Sequence, residues 1–400
     1  MKASRRIAVG PVVAVLLSSA PAPAGDGSEF QKAWSAFEAF YRSACAQRGI
    51  VGSGIALVRD GRIVARANYG LTDRATQRPV DDDTIFHWAS ITKTFTGIAI
   101  MQLRDRGLLN LDHPAVRYVP ELRAVHDRFG DASEITLRHL MTHSAGFRGP
   151  TWPWGGDQDW HPFEPTRWEQ LVGMLPYTQV EFQPGSRFSY SNPGIVFLGR
   201  TIELLTGEDY EVHIDKDILR PLGMHRSYFD RAPRHLLGHR SHSYYLDDQG
   251  LREAPFDFDT GITVSNGGLM APIGDMAKYL SFLIGSRGPE QPVYEGVLRR
   301  SSLEEMFAPL MPSVGPDAAG EAIGLLFFVE QREGRRLIGH SGSQGGFISH
   351  IYLDPEARAA WVVAFNTEAW AGRERDTPIT RQLDAELRDF LLKNVLPRLP

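Results

Sequence analysis

The sequence predicts an α+β protein: one antiparallel sheet built from both ends of the chain, with a mostly helical segment inserted between its two halves. Three observations carry this. Near the start, SGIALVRDGRIVARANYG (53–70) sets two β-rich runs either side of Asp60-Gly61, the turn dipeptide of a tight hairpin. In the last third, GLLFFVEQ (324–331) and RRLIGHSG (335–342) flank Arg332-Glu333-Gly334, and FISHIYLD (347–354) and AAWVVAFN (359–366) flank a turn that begins at Asp354-Pro355. Between them the apolar residues recur at helical spacing.

Taken in order, EFQKAWSAFEAFYRSACAQRG (29–49) reads as an amphipathic helix, and ITRQLDAELRDFLLKNVL (379–396) closes the chain with a second one. Both terminal helices are expected to cover one face of the sheet. SITKTFTGIAIMQLRDRG (90–107) is apolar over much of its surface and ends in glycine, the pattern of a largely buried helix. LRHLMTHSAG (137–146), WEQLVGML (168–175), GIVFLGRTIELLTG (194–207) and APIGDMAKYLSFL (271–283) are further helices, the last with Pro272 at its first turn, where proline fits. Residues 25–82 and 318–400 therefore form the sheet domain, and 83–317 the mostly helical one.

Residues 1–24 stand apart. Lys2, Arg5 and Arg6 precede an apolar run, IAVGPVVAVLLSSA (7–20), and Ala22-Pro23-Ala24 follows it. A positive head, a short apolar body and a small-residue exit make a cleavable export signal, so the mature protein is expected to be periplasmic or secreted. The run falls short of the ~20 apolar residues that span a membrane, and Pro11 interrupts it.

Composition excludes several classes. A net charge of −5 offers no basic face for nucleic acid. With Cys45 as the sole cysteine no internal disulfide can form, and its place on an amphipathic helix makes it a packing residue. His139 and His143 stand i, i+4, but Leu140 occupies the position where a zinc helix has glutamate. His235, His239 and His242 also cluster without a metal pattern, and GSQGG (342–346) lacks the lysine of a phosphate loop. No metal and no cofactor are expected.

The chemistry concentrates elsewhere. Ser90 and Lys93 stand i, i+3 on the helix of 90–107, one turn apart on one face. A serine hydroxyl is a weak nucleophile and needs a neighbouring base; burial can lower a lysine until it is one. At the start of a helix, the Ser90 N–H is free to donate to a developing oxyanion. About a hundred residues on, Tyr190-Ser191-Asn192 offers a phenol for proton transfer and an amide that can bond the lysine and a substrate amide. Further on still is GHSGS (339–343). It is not the G-x-S-x-G turn of an α/β-hydrolase, because Ser343 stands where the second glycine belongs and no βαβ alternation surrounds it. It reads as a strand on which Ser341 and Ser343 alternate with Gly342, so that the two hydroxyls share a side and can hold a substrate carboxylate, while Gly342 leaves room for substrate.

Ser90-x-x-Lys93, Tyr190-Ser191-Asn192 and His340-Ser341-Gly342, in this order, resemble the three motifs of the penicillin-recognising serine hydrolases, which include class C β-lactamases, D-alanyl-D-alanine carboxypeptidases, D-stereospecific aminopeptidases and β-lactamase-like esterases. ITLRHLMTHSAG (135–146), GIVFLGRTIELLTG (194–207) and SNGGLMAPIGDMAKYL (265–280) match the style of that superfamily, and the similarity spans about residues 35–395. The resemblance implies a β-lactamase/transpeptidase-like fold, cleavage of an amide or ester through an acyl-enzyme on Ser90, and a small-molecule or short-peptide acyl substrate. It implies an oxyanion hole made by the backbone N–H groups of Ser90 and Ser343. D-alanyl-D-alanine carboxypeptidase or β-lactamase-related activity is expected first; an esterase or acyltransferase, and a sensor that acylates once and deacylates slowly, stay open. Oligomeric state is not legible.

The chain departs from the resemblance at two places. Its second motif is not the S-D-N of class A β-lactamases, and Glu164 lacks the context of their deacylating glutamate. The third motif begins with His340 instead of lysine, so carboxylate recognition is expected to be weaker and pH-dependent, with His340 partly charged near neutrality and sharing proton transfer with Tyr190. Lastly, TWPWGGDQDWHPFEPTRW (151–168) carries Trp152, Trp154, Trp160 and Trp168. It reads equally as an aromatic wall at the site, with Trp152 and Trp154 touching substrate, or as a loop pinned down by its own tryptophans.

Overall fold

A computed structural model describes residues 27–147, 165–256, 259–313, 321–370 and 378–400. The leader, Glu164, and the pair Trp152 and Trp154 lie outside the described residues. The chain opens with helix α1 (Gly27–Gln47) and strands β1 (Gly52–Arg59) and β2 (Arg62–Asp73). Asp60 and Gly61 both take positive φ, which is what a tight hairpin turn between right-twisted strands requires. After the helical segment come β3 (Phe328–Arg332), β4 (Arg335–Gln344), β5 (Phe347–Asp354) and β6 (Ala359–Phe365).

The sheet has nine strands. From one edge the order is Arg78–Pro79, β2, β1, β6, β5, β4, β3, Glu321–Ile323 and Met311–Pro312. The two ends of the chain meet in antiparallel register at its centre, where Ile55 faces Val363 and Leu57 faces Trp361. Met311–Pro312 joins the sheet ahead of residue 318, and the run GLLFFVEQ becomes a strand only at Phe328, because Leu326 takes φ +63 and breaks the extended backbone.

Side-chain alternation sorts the sheet's two faces. Ile55, Leu57, Trp361, Val363, Phe365 and Tyr352 meet Phe37, Tyr41, Leu383 and Leu387 of the terminal helices. Ala56, Val58, Val362, Ala364 and Ile351 point the other way, into the larger core of the helical segment. There helix α4 (Ile273–Ile284) lies so close that a Cβ on Gly54 would come within 2.9 Å of Ile273. A sheet buried on both faces is a stiff platform, and each fully buried aliphatic side chain adds about 1.5–3 kcal/mol. Cys45 is wholly buried among these residues, and burial pushes its thiol up to about 12, so it packs and does not react.

Two helices carry site residues. The first is α2 (Thr92–Asp105), preceded by a 3₁₀ turn at Ala89–Ile91. Ser90 therefore sits in this turn and not on the α-helix itself. The second is α3 (Asn192–Thr206), whose cap is Ser191: its hydroxyl accepts the Gly194 N–H, and Pro193 fills the first turn, where no N–H is needed. The predicted helix over 137–146 ends at Met141, because His143 takes φ +52; His139 and His143 thus do not share a helix face. No helix among the described residues is long and apolar enough to cross a membrane.

Candidate active site

The short strand Ile85–His87 pairs with Leu269–Pro272 and delivers the chain into the turn that holds Ser90. Ala89 takes φ +47, a conformation an alanine keeps only when its surroundings force it. Here the force is contact with β4 and β5. The Trp88 carbonyl accepts from the Ser349 hydroxyl and packs directly over Gly342, where a Cβ would come within 2.3 Å of the Trp88 oxygen. Gly342 is thus the point at which the first motif seats on the third. Gly342→Ala should cost about 1–3 kcal/mol by overpacking and should displace the Ser90 turn. Thermal unfolding beside turnover checks it, with turnover falling more than the folded fraction explains.

Ser90 is half-buried. Lys93 is wholly buried. Its Nζ lies 2.9 Å from Ser90 Oγ and donates to the Asn266 carbonyl at 2.8 Å. That second bond turns an N–H away from Ser90, and burial holds the amine well below its usual value of 10.5. Tyr190 arrives on the loop before α3, with Lys93 Nζ 5.1 Å from its ring centroid. Burial raises the phenol, while a hydrogen bond with Ser90 pulls it the other way. The structure therefore brings Ser90, Lys93 and Tyr190 together. Asn192 opens α3, and its carbonyl meets the Asn266 amide at 3.5 Å. Asn266 is a residue that sequence reasoning missed, because it acts on Lys93 through its main-chain carbonyl, which no side-chain motif announces.

Strand β4 supplies the opposite wall. Gly345 and Gly346, both at positive φ, close a two-residue turn between Gln344 and Phe347. A turn of this kind makes its closing pair hydrogen-bonded, so alternation points the main-chain groups of Ser343 and Ser341 away from β5. Strand β3 stops pairing at Gly339, so this edge of β4 is uncovered by it. The Ser343 N–H thus faces the open edge. Ser341 and Ser343 project their side chains opposite to the direction in which Gly342 meets Trp88, and the Ser343 hydroxyl lies 3.5 Å from the Glu368 carboxylate.

His340 departs from expectation. It is buried, its Nδ1 lies 2.7 Å from the Ser341 carbonyl, and its ring packs at 5.3 Å from Phe328 and 6.3 Å from Tyr190. Burial, helped by Lys93, lowers it from 6.5 to about 3. The expected partly charged histidine is therefore a neutral one, and it does not replace a lysine as an anion-binding charge. The sign of its effect on stability follows. The unfolded imidazole takes up a proton as pH falls from 6.5 towards about 3, and the buried one does not, so stability drops with pH across that window. His340→Asn should show a smaller fall in thermal midpoint than the parent between about pH 7 and about pH 4.

Sequence reasoning also missed Arg381, in the first turn of the closing helix α5 (Ile379–Phe390). Its charge acts on Tyr190, His340 and Glu368. Trp168 is the one tryptophan of the aromatic segment within the described residues. It starts a short helix, stacks under the Arg200 guanidinium at 5.0 Å and packs on Phe197. At that residue the anchoring reading holds. Trp152 and Trp154, named as substrate contacts, fall outside the described residues. Among the described residues no group of histidine, cysteine and carboxylate side chains is arranged to hold a metal.

A nucleophile and a buried amine on one helical turn, a phenol on a capped loop and an uncovered strand edge define the serine-lysine-tyrosine class of site on an antiparallel sheet. Comparison gives that class its family. The profile of the beta-lactamase family matches residues 35–385, and the chain belongs to this family. It is 33% identical to Esterase EstB of Burkholderia gladioli over 196 residues, 47% of this chain and 49% of the esterase. It is 25% identical to Protein flp of Staphylococcus aureus (strain MW2) over 321 residues, 80% of this chain and 60% of that protein, so the matched stretch spans half to three-fifths of these curated relatives. Among solved structures, the octameric penicillin-binding protein homologue from Pyrococcus abyssi superposes with a TM-score of 0.73 at 30% identity, covering 92% of this chain and 79% of that one. D-alanine carboxypeptidase AmpC from Burkholderia cenocepacia shares the fold, with a TM-score of 0.71 at 18% identity over 90% of this chain and 99% of that one.

Proposed function

We propose that this protein is an exported serine hydrolase that cleaves carboxylic esters or amides through an acyl-enzyme on Ser90. The observation that carries this reading is the 2.9 Å contact between Ser90 Oγ and an amine that is wholly buried and that burial holds well below its usual value. As Oγ attacks the substrate carbonyl, its proton passes to the Lys93 lone pair. The carbonyl oxygen becomes an oxyanion and rests on the N–H groups of Ser90 and Ser343, which act most strongly where water is excluded. The proton moves through Tyr190 to the leaving alkoxide or amine as the C–O or C–N bond breaks. A water molecule then attacks the acyl-enzyme, surrenders its proton along the same route, and Ser90 regains its own as the acid departs. His340, neutral and packed on Phe328, holds the far side of Tyr190 and does not shuttle protons.

The substrate reading rests on charge. His340 brings no cation to β4, and Glu368 places a carboxylate beside the Ser343 hydroxyl. An acyl donor without a carboxylate suits that wall best, which favours a neutral ester or amide, as the likeness to an esterase also does. One observation supports a second reading, a D-alanyl-D-alanine type peptide: Arg381 lies close enough to act on Tyr190 and can meet a terminal carboxylate. Turnover of p-nitrophenyl butyrate beside a D-Ala-D-Ala peptide separates the two. We expect fast ester turnover whose KM is unchanged in Arg381→Ala. Peptide turnover as fast as the ester's, with a KM that rises about tenfold or more in Arg381→Ala, would establish the peptidase reading instead. Export rests on Lys2, Arg5 and Arg6, the apolar run and Ala22-Pro23-Ala24. N-terminal sequencing of the processed chain should begin at Gly25, and an intact Met1 in the exported fraction would reject it.

A further inference from the structure

We propose that His143 is a positioning residue for Tyr190, an inference that rests on the reading of Tyr190 as the proton carrier for Ser90. One residue holds the tyrosine loop on both sides. The His143 carbonyl accepts the Ser189 N–H at 2.8 Å, and its side-chain Nδ1 accepts the Ser191 N–H at 3.1 Å. Tyr190 is the residue between. Its ring lies against the imidazole at 4.4 Å, tilted by 33°, and Phe188 meets the same imidazole edge-on at 5.9 Å. Shifting the Tyr190 backbone away from Ser90 therefore requires breaking one or both of these bonds, and turning the phenol requires leaving the imidazole face.

Three further features fit this role. His143 sits at φ +52, a strained position for a residue with a Cβ, and such strain persists where the surroundings over-determine it. It is buried, so the acceptor nitrogen has no water to exchange for Ser191. Because Nδ1 accepts, the ring proton belongs on Nε2, and a protonated ring would lose the acceptor and release Ser191. Burial is the main influence against protonating this ring. Ser191 is also the cap of α3, so the bond ties the tyrosine loop and the helix start into one unit.

The test uses three variants in the full chain. Asparagine tolerates positive φ and presents an acceptor where Nδ1 stands, glutamine presents one a bond further out, and leucine presents none. Turnover is expressed per Ser90 labelled by a fluorophosphonate, so that unfolded protein does not count. We expect kcat to fall about 100-fold in His143→Leu and His143→Gln, with KM within about threefold, because a misplaced proton carrier slows chemistry and leaves binding alone. His143→Asn should recover most of that loss. Equal kcat in all three variants and the parent, while Tyr190→Phe is slowed, overturns the proposal and leaves the mechanism standing. His143→Asn as slow as His143→Leu per labelled site also overturns it, since packing alone would then explain the residue. If Tyr190→Phe keeps parental kcat, the underlying mechanism fails whatever His143 does.

Discussion

Ser90→Ala is expected to lose turnover of any ester or amide substrate by at least about 10⁴-fold and to form no covalent adduct. The reason is local. Among the described residues, Ser90 Oγ is the only hydroxyl within hydrogen-bonding reach of both a buried, pKa-depressed amine and a phenol. Ser341 and Ser343 cannot take over, because among the described residues the Lys93 amine bonds the Ser90 hydroxyl and the Asn266 carbonyl and neither of these two serines. The substitution removes one half-buried oxygen and opens no cavity, so the thermal midpoint should stay within about 2 °C of the parent. Steady-state turnover with a short-chain nitrophenyl ester, alongside thermal unfolding, makes the measurement. Residual activity above about one part in a hundred would mean that another group performs the attack.

Lys93→Met should lower kcat by about 10³-fold, and it should do so without destabilising the fold. The two effects have one origin. Lys93 has no exposed surface and no carboxylate partner among the described residues; its polar contacts are the Ser90 hydroxyl and the Asn266 carbonyl. Burial depresses such an amine in the folded protein, while the unfolded chain keeps its ordinary affinity for a proton. Below 10.5 the unfolded state therefore binds a proton that the folded state refuses, and stability falls as pH falls until the depressed folded value is reached. Methionine fills a similar volume and carries no such penalty. At neutral pH the thermal midpoint of Lys93→Met should equal or exceed that of the parent, and its fall between about pH 10 and about pH 7 should be shallower. A variant that loses stability while keeping activity would show that the amine is a structural prop and not a base.

Much of the platform was legible because it rests on short-range rules. Asp60-Gly61 and the alternating runs around it dictate a hairpin whatever lies elsewhere, and the same holds for β4 to β6. The union of the two chain ends, with Ser53 opposite Phe365, is a long-range pairing that only the matching β-rich runs hinted at. Boundaries failed where a single backbone angle overrides propensity, at Leu326 and His143, since both residues are ordinary strand or helix formers and nothing local marks their positive φ. In the site, Ser90, Lys93 and Tyr190 were readable as side-chain chemistry at recognisable spacing. Asn266 and His143 were not, because the first acts through a carbonyl and the second through a ring nitrogen aimed at main chain. His340 was read with the right place and the wrong charge. Its burial under Phe328 and beside Lys93 is a tertiary fact that a motif does not carry.

The central claim is that one hydroxyl, activated by one buried amine, carries the acyl group. Peptide mapping of the protein after stoichiometric reaction with a fluorophosphonate tests it most directly. The account predicts a single adduct, on Ser90, that Lys93→Met suppresses. An adduct on Ser341, Ser343 or any other residue, or labelling of Ser90 at the parental rate in Lys93→Met, would contradict it.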